Sequence, residues 1–581
     1  MDTRESICLF CPMGCDIAFR VRGDEVVGPE FCGPAESHAG RVCGRGLYGT
    51  ELLNHPQRIA TPLVRDDDGR LRETSWDTAL KSAAAGLRKT LETSGPESIA
   101  VVTEPTRSRE ELLAAERLAQ AIGTDAVYCA FEPQDWPLLA ETADAGVSAI
   151  EEASCVLAIG NVFVSHPVLA KQVIEAKYTA RGNSLFVVGP RRSNTAWYAS
   201  SHLQNRAGTE ALVLALILKS VVESGKVEVT PPAWLSEVDA DSFADACGVS
   251  RGDIARIARS FVDAEKAVVV FAPPARGVSD VGLVAALARL LAGIAGTGKE
   301  CVCLAAGGNS RGAVAVANAE GWKPVSELVD GLRSGKYRAL VNLGADVCES
   351  YPSDALESAL AALDFSVSFS MFHGVLEQSA SVVLGASSWL ESDGSAELYD
   401  GRVVDWKTVG RPSWATRPIA VGVDALIAQL GATSGVDGKR ASREVASEVQ
   451  WLGRLNAIQR SAASVPEGQM SLVSLPAAGQ SASGSVTGRI DWACQMFPTG
   501  FVEISAEDVA GLGVKDGESV FVRSESAEAE LTLKVTDRLA RGTIAVPAYD
   551  TKSRTLFEWT SKDGWFNTGP VMVSVSGKQA S

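Results

Sequence analysis

Cys8, Cys11, Cys15 and Cys43 stand in the pattern C-x2-C-x3-C-x27-C at the front of the chain. Three thiolates from one tight turn and a fourth from a later loop can wrap a compact, soft, multiply charged centre. Four-thiolate ligation is what a [4Fe-4S] cluster requires. Pro12 and Gly14 bend the backbone around such a centre, and Gly44 and Gly46 let the chain pass close to it. Arg45 sets a fixed positive charge beside a group whose own charge changes on reduction. A structural zinc ion also takes four thiolates, but its cysteines usually come as two short pairs, whereas here they group three plus one. Disulfide pairing is the third reading. Cys32 lies between the third and fourth thiols and could replace one of them, although the C-G-R-G context favours Cys43.

The elements that position these thiols read as an α/β protein. Apolar, β-branched runs at Ser98–Thr103, Cys155–Ile159, Leu185–Val188, Ala267–Phe271, Ala339–Leu343, Phe365–Phe369 and Ser381–Leu384 predict strands. Amphipathic or apolar stretches such as Arg109–Ala121, Thr209–Glu223 and Val281–Ala295 predict helices between them. This alternation indicates parallel sheets covered by helices. Several strands end at Gly160, Gly189, Gly344 or Gly385, where ligands approach open α/β sheets. From about Thr433 to Gly488 the composition shifts to Ser, Ala, Gly and Gln, which predicts a linker around one or two helices. Beyond it, Phe501–Ile504, Ser519–Arg523, Ala529–Val535 and Gly542–Pro547 are strand-like and predict a closing β-barrel. The expected division is 1–62 for the cysteine domain and 63–150 with 300–430 for a discontinuous α/β domain. It continues with 151–299 for a Rossmann-like α/β domain, 431–488 for the linker and 489–581 for the barrel.

The chain has 581 residues, 46% hydrophobic and 22% charged, enough for about three or four domains with ample core. A formal charge of −17 argues against nucleic-acid or membrane-surface partners, which favour basic patches. No long apolar run predicts a membrane span. The N-terminus MDTRESICLFCP has neither an apolar signal core nor twin arginines, and the isolated cysteines Cys129, Cys155, Cys247, Cys348 and Cys494 suit a reducing compartment. The expected location is therefore the cytoplasm. Five histidines, His38, His55, His166, His202 and His373, show no ligand or triad spacing, so a histidine general base is poorly supported.

With these motifs placed, nearly the whole chain resembles the molybdenum/tungsten bis-pterin-guanine-dinucleotide oxidoreductases. That family includes formate dehydrogenases, formylmethanofuran dehydrogenase and the large iron–sulfur subunit of complex I. The resemblance rests on collinear order. The cysteine motif is followed by VCGRG, RIATPLVR and TSWDTAL, then GNVFVSHPVLAKQVIEAK, VVGPRRSNTA, Arg206–Ala211 and GGNSRGA. SVVLGASSWLESDGSAELYDGRVVDW and FVEISAEDVAGLGVKDGESVFVRS complete the series. It implies a [4Fe-4S] cluster on Cys8, Cys11, Cys15 and Cys43, with Arg45 between cluster and pterin. It also implies cofactor-binding roles for Arg191, Glu210, Asn309 and Asn567, while His166 matches a family loop position.

The segment Gly123–Trp136 departs from the pattern. Active members carry Cys, selenocysteine, Ser or Asp as metal ligand here, often followed by His. In this chain Pro133 or Gln134 falls on that position, and Cys129 precedes it by a few residues. Gly189 replaces a strand-end acid, Ser381 and Gly385 replace Asp and Pro, and Gly374 replaces Thr. The expected function is thus an iron–sulfur electron-transfer subunit of a larger redox complex without its own Mo/W ligand. Its expected partners are flavin/NAD, hydrogenase or ferredoxin-like modules. The alternative is a catalytic Mo/W oxidoreductase of the formate or formyl-group type, with Asp135 or Cys129 as the metal ligand.

Overall fold

The computed structural model describes residues 1–30, 42–139, 144–227, 230–412, 414–431, 450–481, 483–559, 561–562 and 565–577. Cys32, His38 and most of the first third of the expected linker lie outside the described residues.

Strands Asp2–Ile7, Asp16–Arg22 and Glu25–Glu30 form an antiparallel sheet. The Cys8–Cys15 loop joins the first two, and the Cys8 N–H donates to the Cys15 carbonyl at 2.9 Å, closing the loop at its neck. The helix Gly44–Tyr48 starts directly after Cys43 and brings the fourth thiol back to this loop.

Two parallel sheets carry most of the chain. The larger runs, in spatial order, Lys323–Pro324, Val127–Cys129, Ile99–Thr103, Ala339–Leu343, Phe365–Ser370 and Val382–Gly385. The antiparallel edge strands Leu63–Arg65 and Leu71–Glu73 complete it. The smaller runs Ser201–Leu203, Ser184–Val188, Cys155–Gly160, Ala267–Ala272 and Lys299–Cys303. Ile99–Thr103 and Ala267–Ala272 are buried along their full length, as continuous apolar strands flanked by helices must be. Helix Arg109–Ile122 begins with a Ser108–Glu111 capping box and stops at Gly123 with φ 84°, a left-handed end that suits glycine. Helix Glu210–Glu223 is buried on most sides because almost every residue in it is apolar.

The third unit is a closed barrel in the order Met470–Leu475, Thr543–Pro547, Phe501–Ser505, Glu528–Thr536, Ser519–Arg523 and Val571–Gly577. Strand and helix positions agree with the sequence reading to within about two residues, but two boundaries need correction. Met470–Leu475 lies inside the stretch read as linker, yet it pairs with Thr543–Pro547 and with Val571–Val573. Its alternation is hidden by serines at 471 and 474, both of which are buried. Lys299–Cys303 pairs with Ala267–Phe271, so residues 300–303 belong to the smaller sheet and not the larger one.

Candidate functional site

The leading thiols converge with burial. Cys8, Cys11 and Cys15 are buried and Cys43 is half-buried. A Cβ added to Gly46 would stand 3.1 Å from the Cys8 sulfur, so this glycine is set by close approach. Burial pushes the Cys8, Cys11 and Cys15 thiols up, and repulsion from neighbouring thiolates adds to it for all three. Burial acts the same way on Cys43, but the charge of Arg45 and a direct hydrogen bond from it bring that thiol below its ordinary value. Among the described residues no three of these sulfurs lie within 4.8 Å of one another.

Arg45 is buried, bonds Cys43 and also reaches the loops beyond the thiols. Its Nη2 donates to the Ser165 carbonyl at 3.0 Å and its Nη1 to the Gln480 carbonyl at 3.4 Å. His166 follows Ser165, and its Nε2 bonds the Ala305 carbonyl at 2.9 Å. Burial and the nearby Arg45 lower His166 to about 3, so it is a neutral strut between loops.

Two cavities open at the carboxyl ends of the strands. The first encloses about 1020 Å3 of space, part of it open to solvent, beside Leu9 and Phe10 of the cysteine loop. Among the described residues its wall carries Glu104, Glu111, Glu132, Asp135 and Asp346 against one cation, Arg107, which is paired with Glu104. Ser481, Ser483 and Ser485 line it as well. These serines lie in the stretch read as linker, and their recurrence at every second residue was the available signal of a hydroxyl-rich ligand loop. The second cavity, about 670 Å3, lies between Gly160, Gly189, Arg191 and Glu210 of the smaller sheet and Val473–Pro476 of the barrel.

The cavities fit a large polar cofactor. Glu210 is buried, its Oε1 accepts from Asn205 Nδ2 at 3.1 Å, and its Oε2 has no partner among the described residues. Asn205 Oδ1, Arg107 Nε and Ser387 Oγ are also buried without partners among the described residues. A purine edge carrying N–H donors would satisfy Glu210 Oε2, and phosphate or pterin oxygens would satisfy Arg107 Nε.

The other expected site residues are spent on structure. Arg191 lines the second cavity, but its guanidinium makes a bidentate pair with Glu503 at 2.7 and 2.9 Å. Asn309 lines neither cavity and lies buried behind the wall of the first, donating to the Arg107 carbonyl at 2.8 Å and accepting from the Glu397 N–H at 2.8 Å. Asn567 is exposed and its side chain accepts from the Gly569 N–H.

In the divergent segment, Cys129 is fully buried at the end of its strand, and burial raises its thiol well above the ordinary value. Asp135 lies at the first cavity, yet its carboxylate accepts from Ala306 N, Gly307 N and Ser310 Oγ at 2.9, 3.3 and 2.6 Å. Burial lifts it to about 6 even so. Pro133 and Gln134 do not line the cavity, whereas Glu132 does, through long contacts of 3.3 and 3.4 Å to Arg554. Two of the three glycine substitutions, Gly374 and Gly385, stand close to other atoms, whereas a Cβ on Gly189 would meet nothing within 4 Å and nothing in the structure explains that change. A Cβ on Gly374 would stand 2.9 Å from Glu349 Oε1 and 3.0 Å from Glu377 Oε2, and one on Gly385 would stand 2.5 Å from the Ile59 carbonyl.

Glu210 gives a pH test of the second cavity. Burial raises its carboxyl from 4.5 to about 7. The folded chain then holds this proton more tightly than the unfolded chain. The resulting stability is complete below about pH 4.5 and falls as pH rises to about 7, by roughly 3 kcal/mol at most. Glu210→Gln should flatten that part of the urea-unfolding profile of the cofactor-free chain. An unchanged slope between these pH values would mean that Glu210 is ionised throughout.

The comparisons agree with this geometry. Residues 58–426 match the molybdopterin oxidoreductase model, 470–565 the molydopterin dinucleotide binding domain and 1–55 the molybdopterin oxidoreductase Fe4S4 domain. The NADPH-Fe(3+) oxidoreductase subunit alpha of Geobacter sulfurreducens is 25% identical over 94% of this chain and 72% of its own length. The F420-dependent formate dehydrogenase 1 subunit alpha of Methanococcus maripaludis is 24% identical over 94% of both chains. Acetylene hydratase from Pelobacter acetylenicus, at 16% identity, superposes with a TM-score of 0.77 over 99% of this chain and 100% of its own, a likeness of fold. Thiol set, strand-end cavities and barrel thus fall in one order, and the chain belongs to the molybdopterin oxidoreductase family.

Proposed function

We propose that this chain is an electron-transfer subunit of a multi-subunit redox complex, with one [4Fe-4S] cluster on Cys8, Cys11, Cys15 and Cys43. The observation that carries this reading is the state of Asp135 and Cys129. The first has three of its acceptor positions taken by hydrogen bonds from the cavity wall and the second is sealed in the core, so neither is presented to a metal free of other partners. A cluster relays electrons without such a ligand. When bound, a pterin metal would supply two-electron redox chemistry. Glu210 and Arg107 are the residues whose free atoms would hold the cofactor, and Arg45 stands between the thiols and the loops leading to it. The alpha-subunit names of the relatives support partner subunits, and flavin/NAD, hydrogenase or ferredoxin-like modules would supply or take the electrons.

A second reading, a catalytic Mo or W site, is favoured by Glu132. This carboxylate lines the first cavity, and among the described residues its side chain is held by one buried ion pair, with Arg554 at 3.3 and 3.4 Å. The acidic wall disfavours a small anion such as formate as substrate, because Arg107 is already paired.

Metal analysis and electron paramagnetic resonance separate the readings. The relay reading expects about four irons per chain, a reversible reduced-cluster signal and no stoichiometric Mo or W. It also expects Cys129→Ala to leave electron throughput unchanged. Stoichiometric Mo or W with pterin, lost in Glu132→Ala while iron stays, would establish the catalytic reading instead. A cluster that cannot be reduced would make the centre structural.

A further inference from the structure

Cys301 and Cys303 belong to neither cavity nor to the leading thiol set. They sit two residues apart on Lys299–Cys303, so both side chains leave the same face of an edge strand. Both are buried, and their sulfurs stand 3.8 Å apart. Two thiolates on one tetrahedral zinc ion, with bonds of about 2.3 Å, stand roughly 3.8 Å apart. An oxygen of Asp144 completes a triad whose three ligand atoms all lie within 4.8 Å, and no other such group occurs among the described residues.

Asp144 keeps one lone pair for this purpose. Its Oδ1 accepts from Arg289 Nε at 3.0 Å, and its Oδ2 accepts from Arg289 Nη2 at 3.3 Å and the Cys303 N–H at 3.2 Å. A carboxylate offers about four acceptor positions, which leaves one on Oδ1. Arg289 also donates to the Leu138 carbonyl at 3.1 Å, so its place is fixed from two sides. The charges close as well. Two thiolates and a carboxylate carry three negative charges, and Arg289 with a divalent cation carries three positive ones. A buried centre with no net charge avoids the main cost of taking ions out of water.

We infer that Asp144, Cys301 and Cys303 form a second site, independent of the cluster, for a thiophilic divalent cation of the zinc type, with Arg289 balancing its charge. Binding displaces the two thiol protons to solvent and forms two sulfur–metal bonds and one oxygen–metal bond. The fourth position is left to water. The strand runs straight into the segment whose Ala306 and Gly307 N–H groups hold Asp135. In the same segment a Cβ on Gly308 would stand only 2.0 Å from the Leu9 carbonyl. The ion would therefore brace the root of the wall between the leading thiols and the first cavity.

The test is metal analysis of the anaerobically purified full chain, cluster intact, after incubation with zinc chloride and dialysis. One zinc per chain in addition to the iron is expected. In Cys301→Ser/Cys303→Ser the zinc should fall at least tenfold with iron unchanged. If that variant does not fold, the wild-type chain loaded with cobalt(II) decides the matter by its thiolate-to-cobalt charge-transfer absorption. Wild-type protein with no retained zinc and no such absorption overturns the inference, as does zinc unchanged in the double variant. A mass two hydrogens lighter, from a Cys301–Cys303 disulfide in the anaerobic protein, also overturns it.

Discussion

Cys11→Ser should take the iron content from about four per chain to near zero and should unfold much of the first sixty residues with it. The reason is local. Cys8, Cys11 and Cys15 are buried in a short loop that one neck hydrogen bond closes, and three buried thiols with raised pKa values gain little from one another. A cluster turns them from crowded, desolvated groups into ligands, so its binding energy is folding energy for this segment. Iron analysis and limited proteolysis of the N-terminal segment check both parts. Cys494→Ser is the control, because that thiol is exposed and remote in role. Cys43→Ser against Cys32→Ser decides the fourth ligand. Iron lost only in Cys32→Ser would transfer the assignment to Cys32.

Arg58→Ala should destabilise the fold by about 3–5 kcal/mol, the usual cost of removing one partner of a buried ion pair. Arg58 donates both Nη groups to Glu391 at 3.0 Å, and the side chains are 0% and 4% exposed. The same guanidinium donates to the Leu53 and Ala386 carbonyls. It thus ties the end of the cysteine domain to the strand-end loop that carries Ser387 and Trp389 into the first cavity. Chemical unfolding measures the loss. The double variant Arg58→Met/Glu391→Leu should recover much of it, because an apolar pair leaves no uncompensated charge. A loss under about 1 kcal/mol in the single variant would show that water enters and solvates Glu391.

Much of the fold was legible in the sequence because buried parallel strands leave continuous β-branched runs, as at Ile99–Thr103 and Ala267–Ala272. The barrel strand Met470–Leu475 was not, because serines at 471 and 474 give it the composition of a linker. At the site, the spacing of the leading thiols was legible since their residue type is itself the chemistry. The acid facing the second cavity was legible at Glu210. The roles of Arg191 and Asn309 were not, because their partners Glu503 and Glu397 are remote in sequence and only the packing brings them together. The glycine at 385 looks like a loss in the sequence, but the Ile59 backbone carbonyl leaves no room there for a side chain, while at 374 a side chain would have to push aside the carboxylate ends of Glu349 and Glu377.

The barrel also sets an order of assembly. Met470–Leu475 pairs with Val571–Val573, so the cylinder cannot close until that last strand has been synthesised. Val473–Pro476 form one wall of the second cavity, while its opposite wall, between residues 159 and 278, is made some two to three hundred residues earlier. During translation that chamber is therefore an open shelf. A bulky nucleotide group would meet its complete chamber only once the barrel has brought Val473–Pro476 into place.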